Sequence, residues 1–315
     1  MSIDFTGQIP KYKINRPLTE QERAEHLSQK RPAMVSKGED VQDWDALIRL
    51  NSTFIEVVDK YYAWKGFAFA ILFILGCGSL VLVLSITWLE LFENLGKVKE
   101  ETGEIILFLV AFWSMTIFLI IFIGWFVRFE VFSVTHWPVR LNRRNRMVYV
   151  FRRKSAGGVL ALRWEDIYFC MGPGQPNAGR PPLVWDIRGH VLAPDRKTVL
   201  DTFSMGIHCT KDLLPAHWEY LRRYMEEGPQ SIPMPRRYLP IAEKRESFLF
   251  ATKVAFSNFS YGYAFLLFGT PFALVTLFGR LLCMPTNKVP VWPGEVEEAC
   301  RIEPGDPYAQ RVSGD

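Results

Sequence analysis

Two runs of apolar residues without a single charge, Gly66 to Leu89 and Ile105 to Val127, dominate the hydropathy pattern of this chain. Each exceeds the ~20 residues that a helix needs to cross about 30 Å of hydrocarbon at 1.5 Å per residue. Runs such as IILFLVAFWSMTIFLIIFIGWFV are apolar on every face, as lipid demands, whereas buried helices of soluble proteins are shorter and keep some polar positions. Only Glu90 to Glu104 joins the two runs, so the pattern predicts a transmembrane helical hairpin with both outer ends on one side. Gly76, Gly78 and Ser79 on the first helix, with Ser114 and Thr116 on the second, are the small and polar positions expected to pack the hairpin together.

Ahead of the hairpin, residues 1–42 are polar and rich in charge, and they read as a cytoplasmic arm. Thr19 followed by Glu22 fits a capping box, which predicts a helix of about three turns ending before Pro32. From Asp43 to Trp64 the apolar residues Trp44, Leu47, Ile48, Phe54, Ile55, Val58 and Tyr62 recur mostly at three- and four-residue intervals. That spacing predicts an amphipathic helix running into the first span, so residues 43–128 form one helical block. Tyr61, Tyr62 and Trp64 are expected at head-group level.

After the hairpin the period changes to two. FEVFSVTHW, PVRLN, MVYVFRR, VLALRW, DIYFCM, PLVWDIRG and TVLDTFSMGIH are short apolar-alternating runs separated by turn residues, including the Gly172 to Pro182 loop. They predict a small antiparallel barrel or sandwich over residues 129–229. Leu213 to Glu227 then reads as an amphipathic helix with Leu214, Trp218, Leu221, Tyr224 and Met225 on one face, stopped by Gly228-Pro229.

Residues 230–253 form a linker and the start of a further helix, and residues 254–279 make a third charge-free run between Lys253 and Arg280. Its length favours one crossing, which places the polar tail, residues 280–315, on the far side. A break at Gly269 to Pro271 with a return to the starting side is the other arrangement.

Charge sets the orientation. Arg140, Arg143, Arg144, Arg146, Arg152, Arg153 and Lys154 crowd the segment after the second span, whereas the hairpin loop carries only Lys97 and Lys99 among its acids. Cationic loops stay in the cytoplasm, so both ends of the hairpin are expected there. No basic-then-apolar start precedes the hairpin, and the first span is expected to act as its own insertion signal. The same seven cations are candidate contacts for anionic lipid head groups, each contributing about 1 kcal/mol near a membrane surface. Nucleic acid explains them less well, because the net charge is only +4 and orientation already accounts for their clustering.

Candidate chemistry changes this picture little. The five cysteines show no C-x-x-C pairing, which excludes a zinc ribbon or a disulfide scaffold. Cys283 and Cys300 would be able to pair only if the tail faced an oxidising compartment. His208 and Cys209 are adjacent and so point to opposite faces of a strand, and neither they nor Cys170 and His190 make a recognisable thiol or metal site. Gly172-Pro-Gly174 lacks the phosphate-cradle pattern, and Asp186, Asp195 and Asp201 have no paired spacing. No charged residue lies within either span, which argues against a transporter. The expectation is a non-enzymatic protein with no cofactor and no catalytic or metal residues.

The hairpin Leu141 to Asn145 leading to Tyr149, with Leu162-Arg-Trp-Glu-Asp-Ile167 and the closing helix, resembles bacterial membrane-anchored domains of pleckstrin-homology-like architecture. That resemblance implies an α+β membrane protein: a helical hairpin, a small antiparallel barrel capped by a C-terminal helix, and a third apolar helix. MVYVFRR, LRWEDI and HWEYLRRY, in this order of parts, are similar to a poorly characterised family of Gram-negative inner-membrane proteins associated with type VI secretion effectors. This second resemblance implies an immunity or accessory role in a toxin system, by binding an effector or secretion-system protein. The competing expectation is a membrane-tethered lipid- or peptide-binding module in envelope signalling or assembly.

Overall fold

The strand Phe54–Val57 pairs antiparallel with Val139–Asn142, although the whole apolar hairpin lies between them in sequence. This pairing organises the computed structural model, which describes residues 12–35, 40–94, 102–127, 130–154, 157–174, 184–235, 237–257 and 263–309. Lys97, Lys99, Arg128, most of the Gly172 to Pro182 loop and the side chain of His208 lie outside the described part. The chain divides into two units. Met1–Tyr62, Val134–Glu246 and Val289–Asp315 make up one, and Ala63–Ser133 with Ser247–Lys288 the other.

In chain order, β1 (Arg16–Pro17), α1 (Glu20–Ala24), β2 (His26–Leu27), β3 (Leu47–Leu50) and β4 (Phe54–Val57) precede the apolar helices α2 (Phe67–Asn94) and α3 (Thr102–Val127). Next come β5 (Val139–Asn142), β6 (Met147–Val150), β7 (Leu160–Arg163), β8 (Ile167–Pro173), β9 (Trp185–Leu192), β10 (Thr198–Cys209) and α4 (Leu214–Glu226). The chain closes with α5 (Phe248–Ser257), α6 (Tyr263–Cys283) and α7 (Gly294–Ala299).

The first unit is a mixed α+β domain of two antiparallel five-stranded sheets, ordered β1-β10-β9-β8-β2 and β3-β4-β5-β6-β7. This corrects the expected closed barrel. A 3-10 turn at Trp164–Asp166 carries the chain from β7 into β8 of the other sheet, and Trp164 is fully buried as it does so. Leu47, Ile55, Val57, Val139, Leu141, Val148 and Val150 of the second sheet share one core with Phe169, Ile187, Phe203 and Met205 of the first. The helix α4 enters that core with the face expected of it. Trp218 stacks on Trp164 at 5.7 Å and lies 4.8 Å from Phe169, while Arg146 donates to the Met225 carbonyl and to Glu226 at the helix end. Gly228, at φ +99°, takes a backbone conformation that favours glycine and ends the helix before Pro229.

Two expectations fail ahead of the hairpin. The arm has its capping box, with Thr19 Oγ1 accepting from the Glu22 amide at 3.2 Å and the Glu22 carboxylate accepting from the Thr19 amide at 2.9 Å. Yet α1 stops after five residues, and β1 and β2 on either side of it add edges to the first sheet. The amphipathic helix over Asp43 to Trp64 is instead the β3–β4 hairpin. Its turn is set by Asn51, whose Oδ1 accepts from the amides of Thr53 and Phe54 at 2.9 and 2.8 Å. The strand period was hidden because β4 is buried on both faces. Residues 130–137, the described part of FEVFSVTHW, form no extended strand either, and the Trp137 amide donates to Asp59 Oδ1 at 2.8 Å.

In the second unit, α2, α3 and the stretch Phe268–Thr286 that includes most of α6 are long and apolar enough to cross a membrane. Trp113 Nε1 donates to Thr87 Oγ1 at 3.0 Å between α2 and α3. Of the expected packing positions, Thr116 is buried and Gly76 lies against Ile123, whereas Gly78 faces open space and Ser114 is exposed. The helix α6 runs unbroken through Pro271 and meets α2 at Gly66 and Gly279. Its end is tied to the end of α3. Asn287 Nδ2 donates to the Glu130 carbonyl at 2.8 Å, Asn287 Oδ1 accepts from the Ser133 amide at 2.7 Å, and the Lys288 amide donates to the Ser133 carbonyl at 3.0 Å. So α6 terminates where α2 begins and α3 ends.

Candidate recognition face of the second sheet

Antiparallel register assigns each side chain of the second sheet to a face. Ile55, Leu141, Val148 and Leu162 point into the core, and so do Val57, Val139, Val150 and Leu160. The outer face is therefore Phe54, Glu56, Arg140, Asn142, Met147 and Tyr149, with Ala161 and Arg163 on the edge strand. The segment after Lys288 covers this face. Trp292, Val296 and Cys300 pack on Phe54 and Tyr149, with Met147 and Phe151 at the margin.

Arg140 lies at the centre of that face and is fully buried, so it is not the exposed head-group contact expected of it. Its Nε and Nη2 donate to Glu56 Oε2 at 2.9 and 2.7 Å, and Nη2 reaches Glu297 Oε1 at 3.3 Å. The guanidinium sits between two rings, 4.3 Å from the centroid of Phe54 and 4.7 Å from that of Trp292. Burial opposes its charge, but Glu56 and Glu297 outweigh burial and hold its pKa above the ordinary value. Arg140 Nη1 is buried and has no hydrogen-bond partner. Around it, Asn142 Nδ2 donates to the Ala299 carbonyl at 2.8 Å, Trp292 Nε1 donates to Glu56 Oε1 at 3.3 Å, and Asp306 accepts from the Ser52 amide and hydroxyl at 2.7 and 2.8 Å. A cleft of about 480 Å³ adjoins the end of the segment, lined in part by Arg49, Tyr238, Glu243, Glu303 and Asp306.

The other six predicted cations do not converge on one surface. Arg144 pairs with Glu303 at 2.6 Å, Arg146 with Glu165 and Glu226 at 2.6 and 2.7 Å, and Arg152 with Asp201 at 2.7 Å. Arg153 lies over the Trp137 ring at 5.5 Å, Arg143 is half-buried near Gly228, and Lys154 is exposed.

The structure brings Cys170 and His190 together, which strand adjacency in the sequence did not foretell. Sγ lies 3.3 Å from Nε2, His190 Nδ1 meets Thr202 Oγ1 at 2.8 Å, and Glu22 approaches Nε2 at 3.3 Å while clamped by Arg16. Cross-strand pairing of β8 with β9 produces this cluster, a signal visible only once register is known. Burial, with the Glu22 charge adding to it, pushes the Cys170 thiol up to about 12, and burial pushes Cys209 to about 12 as well. Both therefore stay protonated near neutral pH, unlike a nucleophilic thiolate. Among the described residues no group of three or more His, Cys, Asp or Glu side chains is arranged to hold a metal ion.

A second buried polar cluster surrounds Asp43. Burial, with repulsion from Asp45, pushes its carboxyl up to about 6, and the hydroxyls of Tyr220 and Tyr238 near it have no hydrogen-bond partner. The native state thus favours the protonated form, so Asp43 opposes folding above about pH 6 and the opposition fades as pH falls through that value. Asp43→Asn is expected to raise stability at pH 7 by about 1–2 kcal/mol and to leave it unchanged at pH 4. Denaturant titrations at the two pH values check this, and an equal effect at both would refute it.

A family model described as a family of unknown function (DUF6708) matches residues 115–304. Neither the curated proteins nor the solved structures compared with the chain yield a match.

Proposed function

The chain belongs to this family of unknown function, and we propose that it is a non-enzymatic integral protein of the bacterial inner membrane that acts by binding another protein. The observation that carries a binding role is the outer face of the second sheet, which holds α7 and its flanking residues by three apolar anchors, an arginine and an asparagine. The two-sheet core filled by α4 is compatible with the pleckstrin-homology-like reading, and the sequence resemblance supplies the setting, an immunity or accessory role beside a type VI secretion toxin. Deleting the gene should leave cells sensitive to a neighbouring strain carrying the cognate toxin; unharmed deletion cells would sink the immunity role. The lipid-binding alternative loses Arg140, which is buried against Glu56, and keeps the exposed Arg144 and Lys154.

The folding of three separate stretches into one unit supports a particular topology. Residues ahead of α2, between α3 and α5, and beyond α6 must share one side of the membrane, so each apolar block enters and leaves by that side. On this reading the tail lies on the same side as the arm, in contrast to the single crossing that charge-free length favours. At 1.5 Å per residue the ten residues of α5 measure about 15 Å, half the hydrocarbon thickness, and the 21 residues of α6 measure about 30 Å, the whole of it. With the cation-rich side cytoplasmic, alkaline phosphatase fused after Asp315 should be silent and green fluorescent protein fused there should fluoresce. An active phosphatase would overturn this topology.

A further inference from the structure

The segment 291–301 sits on the second sheet as a peptide ligand would. Only Trp292, Val296 and Cys300 are buried, at spacing i, i+4, i+8, while Val291, Glu295, Glu297, Glu298 and Ala299 between them are exposed. Val296 lies in α7, with Trp292 ahead of that short helix and Cys300 at its cap, so a single helical turn and its flanks seat on the face as a bound peptide would. The main core contains no residue of this segment, whose three anchors form a separate small cluster with Phe54 and Tyr149. Charge is complementary, with Glu297 of the segment meeting Arg140 of the face, and Glu303 just beyond the segment meeting Arg144.

The fit is nevertheless incomplete. Arg140 Nη1 is buried without a partner, and Glu297, its side chain about half exposed, reaches only Nη2 at 3.3 Å. Buried guanidinium donors are normally satisfied, and a carboxylate can engage two at once. Beside the guanidinium the segment offers only the Cys300 thiol, a weak acceptor, so the face carries a donor that its present occupant engages poorly. We propose that the outer face of the second sheet is a recognition site for a short acidic amphipathic helix of a partner protein, and that residues 291–301 occupy it in cis as a displaceable stand-in. The partner helix presents aromatic, aliphatic and small anchors at i, i+4 and i+8, with a carboxylate aimed at Arg140 Nη1. This rests on the protein-binding reading above and supplies its site and chemistry.

A tethered segment competes at an effective concentration of order millimolar, so loosening it should expose the site. The test uses the full chain in detergent, wild type and the double variant Trp292→Ala, Val296→Ala, with a fluorescent synthetic peptide of residues 289–306 as probe. The double variant should keep its far-UV dichroism and a cooperative thermal transition, and it should bind the probe at least about tenfold more tightly than wild type does. A probe carrying Glu297→Lys should lose most of that binding. Equal binding by both proteins, no binding by the folded double variant, or unfolding of the double variant would each overturn the proposal, because a displaceable segment must leave the core standing. The probe is the chain's own sequence, so a failed search for a natural partner would count against the binding role without altering this result.

Discussion

Replacing Arg140 by Ala is expected to destabilise the first unit by about 3–5 kcal/mol, because it strands the Glu56 carboxylate inside the protein. Glu56 is 4 % exposed and has Arg140 as its ion-pair partner at 2.7 Å, with Trp292 Nε1 as a further donor. The guanidinium also fills the space between the Phe54 and Trp292 rings, so the substitution removes packing as well as charge. Removing both charges should behave differently. Glu56→Leu combined with Arg140→Met leaves no buried charge and retains apolar volume, and it should fall within about 1–2 kcal/mol of wild type. Urea titration of the detergent-solubilised wild type, Glu56→Leu, Arg140→Met and their double variant closes the cycle, with Arg140→Ala measured beside it. A single variant as stable as wild type would contradict the buried pair, and a double variant as damaged as Arg140→Ala would show that packing, not charge, dominates the site.

The second large effect is expected at Gly279. A Cβ built there would lie 1.8 Å from the carbonyl oxygen of Gly66 and 3.0 Å from Ala70, and backbone cannot yield as a flexible side chain would. Gly66 is constrained from its own side by φ +93° and by the Arg280 amide. Gly279→Val should therefore separate α6 from α2 at a cost at or above the about 1–3 kcal/mol typical of overpacked cores. Gly78→Val and Gly124→Val supply the control, since neither glycine has an atom within 4 Å of its added Cβ. Thermal melting of the detergent-extracted variants should show a large drop for the first and little change for the other two. Equal melting of all three would mean that the α2–α6 approach is not as close as 1.8 Å implies.

Small residues within apolar helices show how much of the packing was legible. Gly76 and Gly78 look equivalent in sequence, yet one abuts Ile123 and the other faces away, because helical rotation separates positions two apart by about 200°. Gly66 opens the first apolar run and Gly279 closes the third, and only their meeting in space gives them a role.

The Arg-rich stretch carries the same lesson for the candidate site. A run of cations is visible in sequence, but the identity of each partner is not. Arg140 meets a carboxylate on the neighbouring strand and another from α7, whereas Arg152 meets Asp201 on β10. Those partners lie far along the chain: strand register brings in Glu56, and a one-residue shift would reverse its face, whereas tertiary packing brings in Glu297 and Asp201.

What the sequence by itself determined is local and compositional. It specified α2 and α3 from uninterrupted apolar length, the capping box at Thr19, strands β5 to β10 apart from their sheet assignment, and α4 with its buried face. The tertiary structure decided what depends on distant partners. It recruited β3 and β4 across the hairpin, split the strands into two sheets, returned the tail to the unit that holds the N-terminal arm, and buried Arg140. The physical reason is one covering event. The segment around Trp292 lies on the outer face of β4 and β5, so both faces of those strands are buried and the alternation that announces a half-exposed strand never reaches the sequence.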